Sequence, residues 1–333
     1  MCIRDSHVRP LEPETDLPAL VGLLTAIRQA EGNPTPATAD ELRPALAQPR
    51  FRRWVATEPG GDGLVGLAVL FHQTPDRCYG DIRVHPAWRR RGVGRVLGDS
   101  LAAGAAELKT RYLTIDVAAG RTGVAAGRTG GAAGQTGGAA DSPDALRFLL
   151  SQGFRYRGDT WVLSLPAAAE LPAPVWPLGY GARSMAEVDD LPLFVDLCNA
   201  TFGDLWGHHE NTPGLVTVEN MAEALADADR AGVLIVFGPN GAPVGQCRTF
   251  PAAVDAPPDM PHVLDQPGIV PEQRASGLHV PLALTAAHWL RGQGARPIRL
   301  ESWGDSAETI VQYEALGFAL VEHEVSMVRE VSR

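Results

Sequence analysis

Apolar residues recur three and four positions apart through LPALVGLLTAIRQA (Leu17 to Ala30), and that period predicts a helix. RRWVATEP and LVGLAVLFHQ follow as short runs rich in β-formers, and Gly60-Gly61-Asp62-Gly63 between them predicts two strands joined by a turn. YGDIRVHP reads as another strand. The stretch after Gly94 reads as a helix with Leu97, Leu101, Ala105 and Leu108 on one face. YLTIDV is then a strand, DALRFLLSQ a helix, and FRYRGDTWVLSL a final strand or hairpin. Later in the chain the alternation resumes. GVLIVFG and VGQCRTFP flank a turn at Pro239-Asn240-Gly241, a strand lies near Val263 to Ile269, and a helix aligns Leu282, Ala286, Trp289 and Leu290. PIRLESW is a strand and TIVQYEAL the closing helix. Helices interleaved with strands predict an α/β fold, a mixed sheet with flanking helices.

The second series repeats the first. Arg9, Asp16-Leu17-Pro18 and Leu23 match Arg183, Asp190-Leu191-Pro192 and Leu197, each 174 residues on. Arg89-x-x-Gly92 matches Arg274-x-x-Gly277 at 185, and Gly153-Phe154 matches Gly317-Phe318 at 164. Three matches in one order indicate two copies of one fold. The offset drops by 21 residues between the last two matches, the length of three seven-residue units, AAGRTGV, AAGRTGG and AAGQTGG, starting at Ala118. A tract so rich in Gly, Ala and Thr cannot bury a core, so a flexible surface insertion is expected at about 118–140. The expected domains are 7–165 and 179–333, joined by a Pro/Ala-rich linker at 166–178.

Composition narrows the function classes. The 333 residues are 45% hydrophobic and 20% charged, which suits two globular domains. With 29 Lys and Arg against 39 Asp and Glu, the chain repels phosphate backbones, so nucleic acid is not an expected partner. No apolar run reaches the length of a membrane span, and the start has no apolar signal core. Cysteines at 2, 78, 198 and 247 form no Cys-x-x-Cys pair for zinc or redox work. A reduced, cytoplasmic protein without a metal is expected.

One segment carries specific chemistry. In Val84-His85-Pro86-Ala87-Trp88-Arg89-Arg90-Arg91-Gly92-Val93-Gly94 a strand runs into a basic, glycine-bearing turn and on into a helix. Glycines allow close backbone approach, and the N–H groups at a helix start point outward with the positive end of its dipole. That suits a pyrophosphate, with the arginines adding charge; a solvated basic surface turn is the plainer alternative. There is no Gly-x-x-x-x-Gly-Lys-Ser/Thr, and Leu97 stands where a Gly-x-Gly-x-x-Gly loop would need its last glycine.

This hexapeptide, Arg89 to Gly94, resembles the Arg/Gln-x-x-Gly-x-Gly/Ala signature of the GCN5-related N-acetyltransferase (GNAT) family. ALRFLLSQGF and TIVQYEALGF are similar to that family's second motif. The likeness extends over both copies and implies two tandem acyl-CoA acyltransferase domains. It further implies a mixed sheet whose fourth and fifth strands splay to admit pantetheine. Acetyl-CoA would be the co-substrate, with Val84 beside the pantetheine and Arg89, Arg90, Arg91, Gly92, Val93, Gly94 and Arg95 around the diphosphate. Arg274, Ser276 and Gly277 would do the same in the second copy. Residues 1–6 have no place in such a fold and resemble an adapter-derived start, so the natural N-terminus is expected to differ.

The copies depart from the family in complementary ways. The first has Leu149 where the family usually has tyrosine; the second has Tyr313 there, but places His279 at the site of the last Gly or Ala. The expected activity is direct acetyl transfer to a primary amine of a small molecule, with Tyr313 as candidate acid for the departing thiolate. Asp81, Asp265 and Glu301 are candidate bases, each with a plain reading as a solvated or paired carboxylate. His208-His209-Glu210 lacks the spacing of a helical zinc site and reads as a loop. Trp206 and Trp303 are pocket candidates, core packing being the alternative. A non-catalytic acetyl-CoA-binding protein with a degenerate second copy is the rival function.

Overall fold

In the computed structural model the described residues are 7–61, 63–74, 76–120, 143–204, 216–226, 228–303 and 306–331. They divide into two compact units. Unit 1 takes described residues up to Gly120, from 143 to Arg157 and from Glu324 onward; unit 2 takes Gly158–His323.

In unit 1 the chain runs β1 (Val8–Pro10), α1 (Pro13–Ala30), α2 (Ala39–Leu46), β2 (Phe51–Thr57), β3 (Leu64–Thr74), β4 (Arg77–Val84), α3 (Val93–Glu107), β5 (Tyr112–Gly120) and α4 (Pro143–Ser151). Strands β1 to β4 pair as antiparallel neighbours, and β5 joins β4 in parallel, as the intervening helix α3 requires. Helix α1 turns Leu20, Leu23, Leu24 and Ile27 inward, and these pack with Val55 and Leu67 on one face of the sheet. Helix α3 buries Val93, Leu97, Leu101 and Ala105, four residues apart, against Ala68, Leu70, Cys78 and Leu113 on the other.

Unit 2 repeats the plan with β7 (Gly181–Ser184), α5 (Met185–Val188), α6 (Leu191–Phe202), α7 (Val218–Ala224), β8 (Leu234–Phe237), β9 (Pro243–Phe250), β10 (His262–Ile269), α8 (His279–Gly292), β11 (Ile298–Trp303) and α9 (Ala307–Ala315). Side-chain caps mark its helix starts: Ser184, Asp190, Thr217 and Ser306 each accept a backbone N–H three residues on. Apolar residues of α8, Leu282, Ala283, Ala286, Ala287 and Leu290, pack on one sheet face; Phe194, Val195, Leu197 and Cys198 of α6 pack on the other.

The later part of the last strand of each copy belongs to the unit of the other copy. Strand β6 (Arg155–Leu165) pairs with β11 through Leu163↔Leu300 and Leu165↔Ile298, and Leu163 and Leu165 are fully buried in the core of unit 2. The later part of β12 (Ala319–Glu330) lies in unit 1, where Val325 and Met327 join the α3 core and Ser326 donates to Asp116. The division at the 166–178 linker read from the sequence therefore differs from the compact units. That proline-rich segment is itself anchored on α8: Arg291 donates to the Pro166 and Ala167 carbonyls, His288 Nε2 lies 2.9 Å from the Pro172 carbonyl, and Leu171 and Trp176 pack on the core. Most of the 118–140 tract lies outside the described residues.

Candidate active site

Strands β4 and β5 are paired only at Arg77↔Tyr112, Cys78↔Leu113 and Tyr79↔Thr114. Beyond that rung the two run on to Val84 and Gly120 without pairing, so the sheet parts. Unit 2 behaves alike: β10 and β11 pair from His262↔Ile298 to Asp265↔Glu301 and then separate. An irregularity between Asp265 and Gly268, with Gln266 at φ +44°, bends β10 away. Each unit thus offers the gap a thioester arm would need beside an unpaired strand edge.

The loop that follows β4 turns through a left-handed glycine straight into a helix. Gly92 holds φ +81°, a left-handed conformation that costs other residues energy, and from it α3 begins. The first N–H groups of α3 have no acceptor within the helix. Val93 is buried in the core, so its amide rather than its side chain is what it can present. A Cβ on Gly94 would meet the Phe148 ring of α4 at 3.4 Å. Arg90 (φ +61°) lies 3.7 Å from Asp144, Arg91 lies over the Trp88 ring at 5.1 Å, and Arg95 is exposed. Arg89 turns back: its Nε donates to the Val84 carbonyl at 3.3 Å and its head lies 3.7 Å from Glu31, the residue ending α1.

The loop of unit 2 keeps the backbone and spends its polar side chains internally. Gly277 is again left-handed at φ +70°. Arg274 donates through Nε to the Ile269 carbonyl, through its head to the Thr201 carbonyl, and forks onto both Asp204 oxygens at 2.6 and 2.7 Å. Ser276 donates to Gln273 Oε1 at 2.9 Å. His279, at the site of the motif's last Gly or Ala, is buried within the fold.

The candidate carboxylates occupy matching rungs. Val69 is three residues beyond Gly66 on β3 and faces Asp81; Arg248 is three beyond Gly245 on β9 and faces Asp265. Asp81 pairs with Arg83 at 2.7 Å, and Asp265 with Arg248 at 2.5 Å. Burial pushes the Asp265 carboxyl above its ordinary range, and Arg248 only partly opposes this. Glu301, across the last rung from Asp265, pairs with Arg299 at 3.1 Å; Asp116 of β5 stands two residues past the last rung of unit 1. Tyr313 is fully buried, its ring tilted against Phe318 at 6.3 Å. Leu149, its counterpart, is buried in unit 1. Trp206 and His208-His209-Glu210 lie outside the described residues, as does the Trp303 side chain. Glu31 and Asp204 were missed by motif reading because each acts on an arginine in an element far along the chain, and Arg248 because its tie to Asp265 depends on the register of two neighbouring strands.

Residues 19–125 match the Acetyltransferase (GNAT) family. A mycothiol acetyltransferase of Thermobispora bispora is 27% identical over 270 residues, covering 78% of this chain and 77% of its own. A GCN5-related N-acetyltransferase from Sphaerobacter thermophilus superposes with a TM-score of 0.67 at 20% identity, over 100% of this chain and 98% of its own. A tandem GNAT protein from the clavulanic acid biosynthesis pathway gives 0.54 at 18%, over 98% and 99%. The chain is thus an acyltransferase of the tandem GNAT fold. More particularly, it is of the N-acetyltransferase class, and its match to the acetyltransferase (GNAT) family, which uses acetyl-CoA, lies in residues 19–125. Among the described residues no helix is long and apolar enough to cross a membrane, and no group of three His, Cys, Asp or Glu is placed to hold a metal ion.

Proposed function

We propose that the protein transfers the acetyl group of acetyl-CoA directly to a primary amine of a small-molecule acceptor. The observation that carries this reading is the parting of β4 from β5 beyond Tyr79↔Thr114, beside the amides of the Gly92 loop. In unit 1 the loop amides and the Arg90, Arg91 and Arg95 side chains would hold the diphosphate, and the edge of β4 up to Val84 the pantetheine.

The acceptor ammonium, with a pKa of about 10, first gives up a proton. Asp265 is the base we assign, because burial has raised its affinity for a proton and it stands at the mouth of the second opening. The nitrogen lone pair then attacks the thioester carbon, the C–S bond breaks, and the thiolate takes a proton. Tyr313 is the nearest family counterpart for that last step, and it favours unit 2 as the site of turnover. Leu149, which has no proton to give, favours unit 1 as a site that binds acetyl-CoA without rapid transfer. Because relatives spanning most of the chain are named mycothiol acetyltransferase, and the tandem layout resembles mycothiol synthase, acceptors of the mycothiol type head the panel.

Incubation with acetyl-CoA and a panel of small amines, read by release of free thiol, tests the proposal. Release that depends on the amine supports it. Tight acetyl-CoA binding with no release for any amine would leave the binding-protein reading instead.

A further inference from the structure

The arginine that opens each loop is held by a carboxylate at the end of the first long helix of its own unit. In unit 1, Arg89 joins three elements: its own loop, the end of β4 through the Val84 carbonyl, and the end of α1 through Glu31. In unit 2, Arg274 does likewise through the Ile269 carbonyl and through Asp204, just past the end of α6. The carbonyl partner lies five residues before the arginine in both.

Divergence makes the repetition informative. The side chains that could face a phosphate have not survived: Arg90, Arg91 and Arg95 correspond to Ala275, Ser276 and Val280. The acid has changed from glutamate to aspartate and shifted by one residue, yet the link to arginine remains. A contact kept while the surrounding charge is lost serves the shape of the loop, not its potential.

Electrostatics separates the two roles. Glu31 is a negative charge close to where a diphosphate would sit, and it also acts on Arg83. As a bare charge it would oppose the ligand. As a tether it fixes the loop whose amides must converge on the anion.

We propose that Glu31 is a positioning residue for acetyl-CoA, holding the Gly92 loop through Arg89 as Asp204 holds the Gly277 loop through Arg274. The inference rests on the acetyl-CoA reading above.

The test follows hydrogen exchange in the segment 92–96 of the full chain as acetyl-CoA is added, which reports on unit 1 alone. Glu31→Gln keeps the shape and removes the charge. The acetyl-CoA concentration for half-protection should rise about three- to tenfold, and Glu31→Asp should restore part of it. In an Arg89→Gln background, a residue the motif allows, Glu31→Gln should add nothing, because the tether is already gone. Unchanged or tighter binding in Glu31→Gln, or an effect that persists without Arg89, overturns the inference and leaves the acetyltransferase reading standing. Wild-type protein that gains no protection from acetyl-CoA overturns both.

Discussion

Arg248 reaches across from β9 to pair with Asp265 at 2.5 Å, on the rung where unit 1 sets Val69 against Asp81. Both units thus keep an aspartate paired with arginine on this rung, with Arg83 of its own strand in unit 1 and Arg248 of the neighbouring strand in unit 2. A buried pair of that kind is costly to desolvate.

That pair carries a pH prediction. The folded Asp265 carboxyl holds its proton more firmly than an ordinary carboxylate of pKa 3.8, through burial first. Its contribution to stability is therefore full below that ordinary value and is lost as pH rises through the raised one. Activity runs the other way, because a base must be ionised. The acid limb of kcat/KM should lie above pH 3.8, and Asp265→Asn should abolish that limb and lower the rate by about 10² or more. A pH–rate profile of the variant that overlays the wild type would remove Asp265 from the reaction.

Gly92 makes a conformational prediction. At φ +81° any other residue is strained by roughly 1–2 kcal/mol, and an acidic one also repels phosphate. Gly92→Asp should weaken acetyl-CoA binding by more than tenfold, and Gly92→Ala by less. Calorimetry on the two variants checks the order.

Tyr313 separates packing from chemistry. Its ring is fully buried, so Tyr313→Ala should cost about 3–5 kcal/mol of stability, read by urea unfolding. Tyr313→Phe keeps the ring and should melt close to the wild type. If the hydroxyl protonates the thiolate, turnover falls, but only by about tenfold. A thiol of pKa about 8.5 gains little from a donor near 10, roughly 2 kcal/mol the wrong way.

Met327, from the closing segment, is part of the α3 core of unit 1. Met327→Ala should destabilise that unit by about 2–5 kcal/mol and leave unit 2 largely as it was. Hydrogen exchange should accelerate along β3 and β4 but not along β8 and β9. Equal acceleration in both would show that the two units unfold as one.

Much of this was legible in the sequence where local signals suffice. The 3.6-residue period exposed α1, α3 and α8, and the glycine turns located the β2–β3 and β8–β9 hairpins. The basic loop after Val84 stood out because strand, glycine and helix adjoin in the chain. The short edge strands β1 and β7 carry too few residues to show a period. Strand β12 went unread: Val321, Val325 and Met327 are interrupted by Glu322, His323 and Glu324, and its role depends on a partner some two hundred residues earlier. The matched Arg9–Asp16 and Arg183–Asp190 conceal different chemistry. Arg9 forks onto Asp16, whereas Asp190 caps α6 and Arg183 lies over the Phe237 ring at 3.8 Å. The ties from Glu31 and Asp204 to the loops, and from Arg248 to Asp265, exist only once the sheet has formed.

The crossed placement of β6 and β12 also constrains how such a chain is made and how it can evolve. A ribosome releases nearly the whole first copy long before the segment that finishes its sheet has been synthesised, so that half must wait, incomplete, until β12 has emerged. A chain cut back to one copy would have to close its sheet with its own last strand, which here completes the other unit.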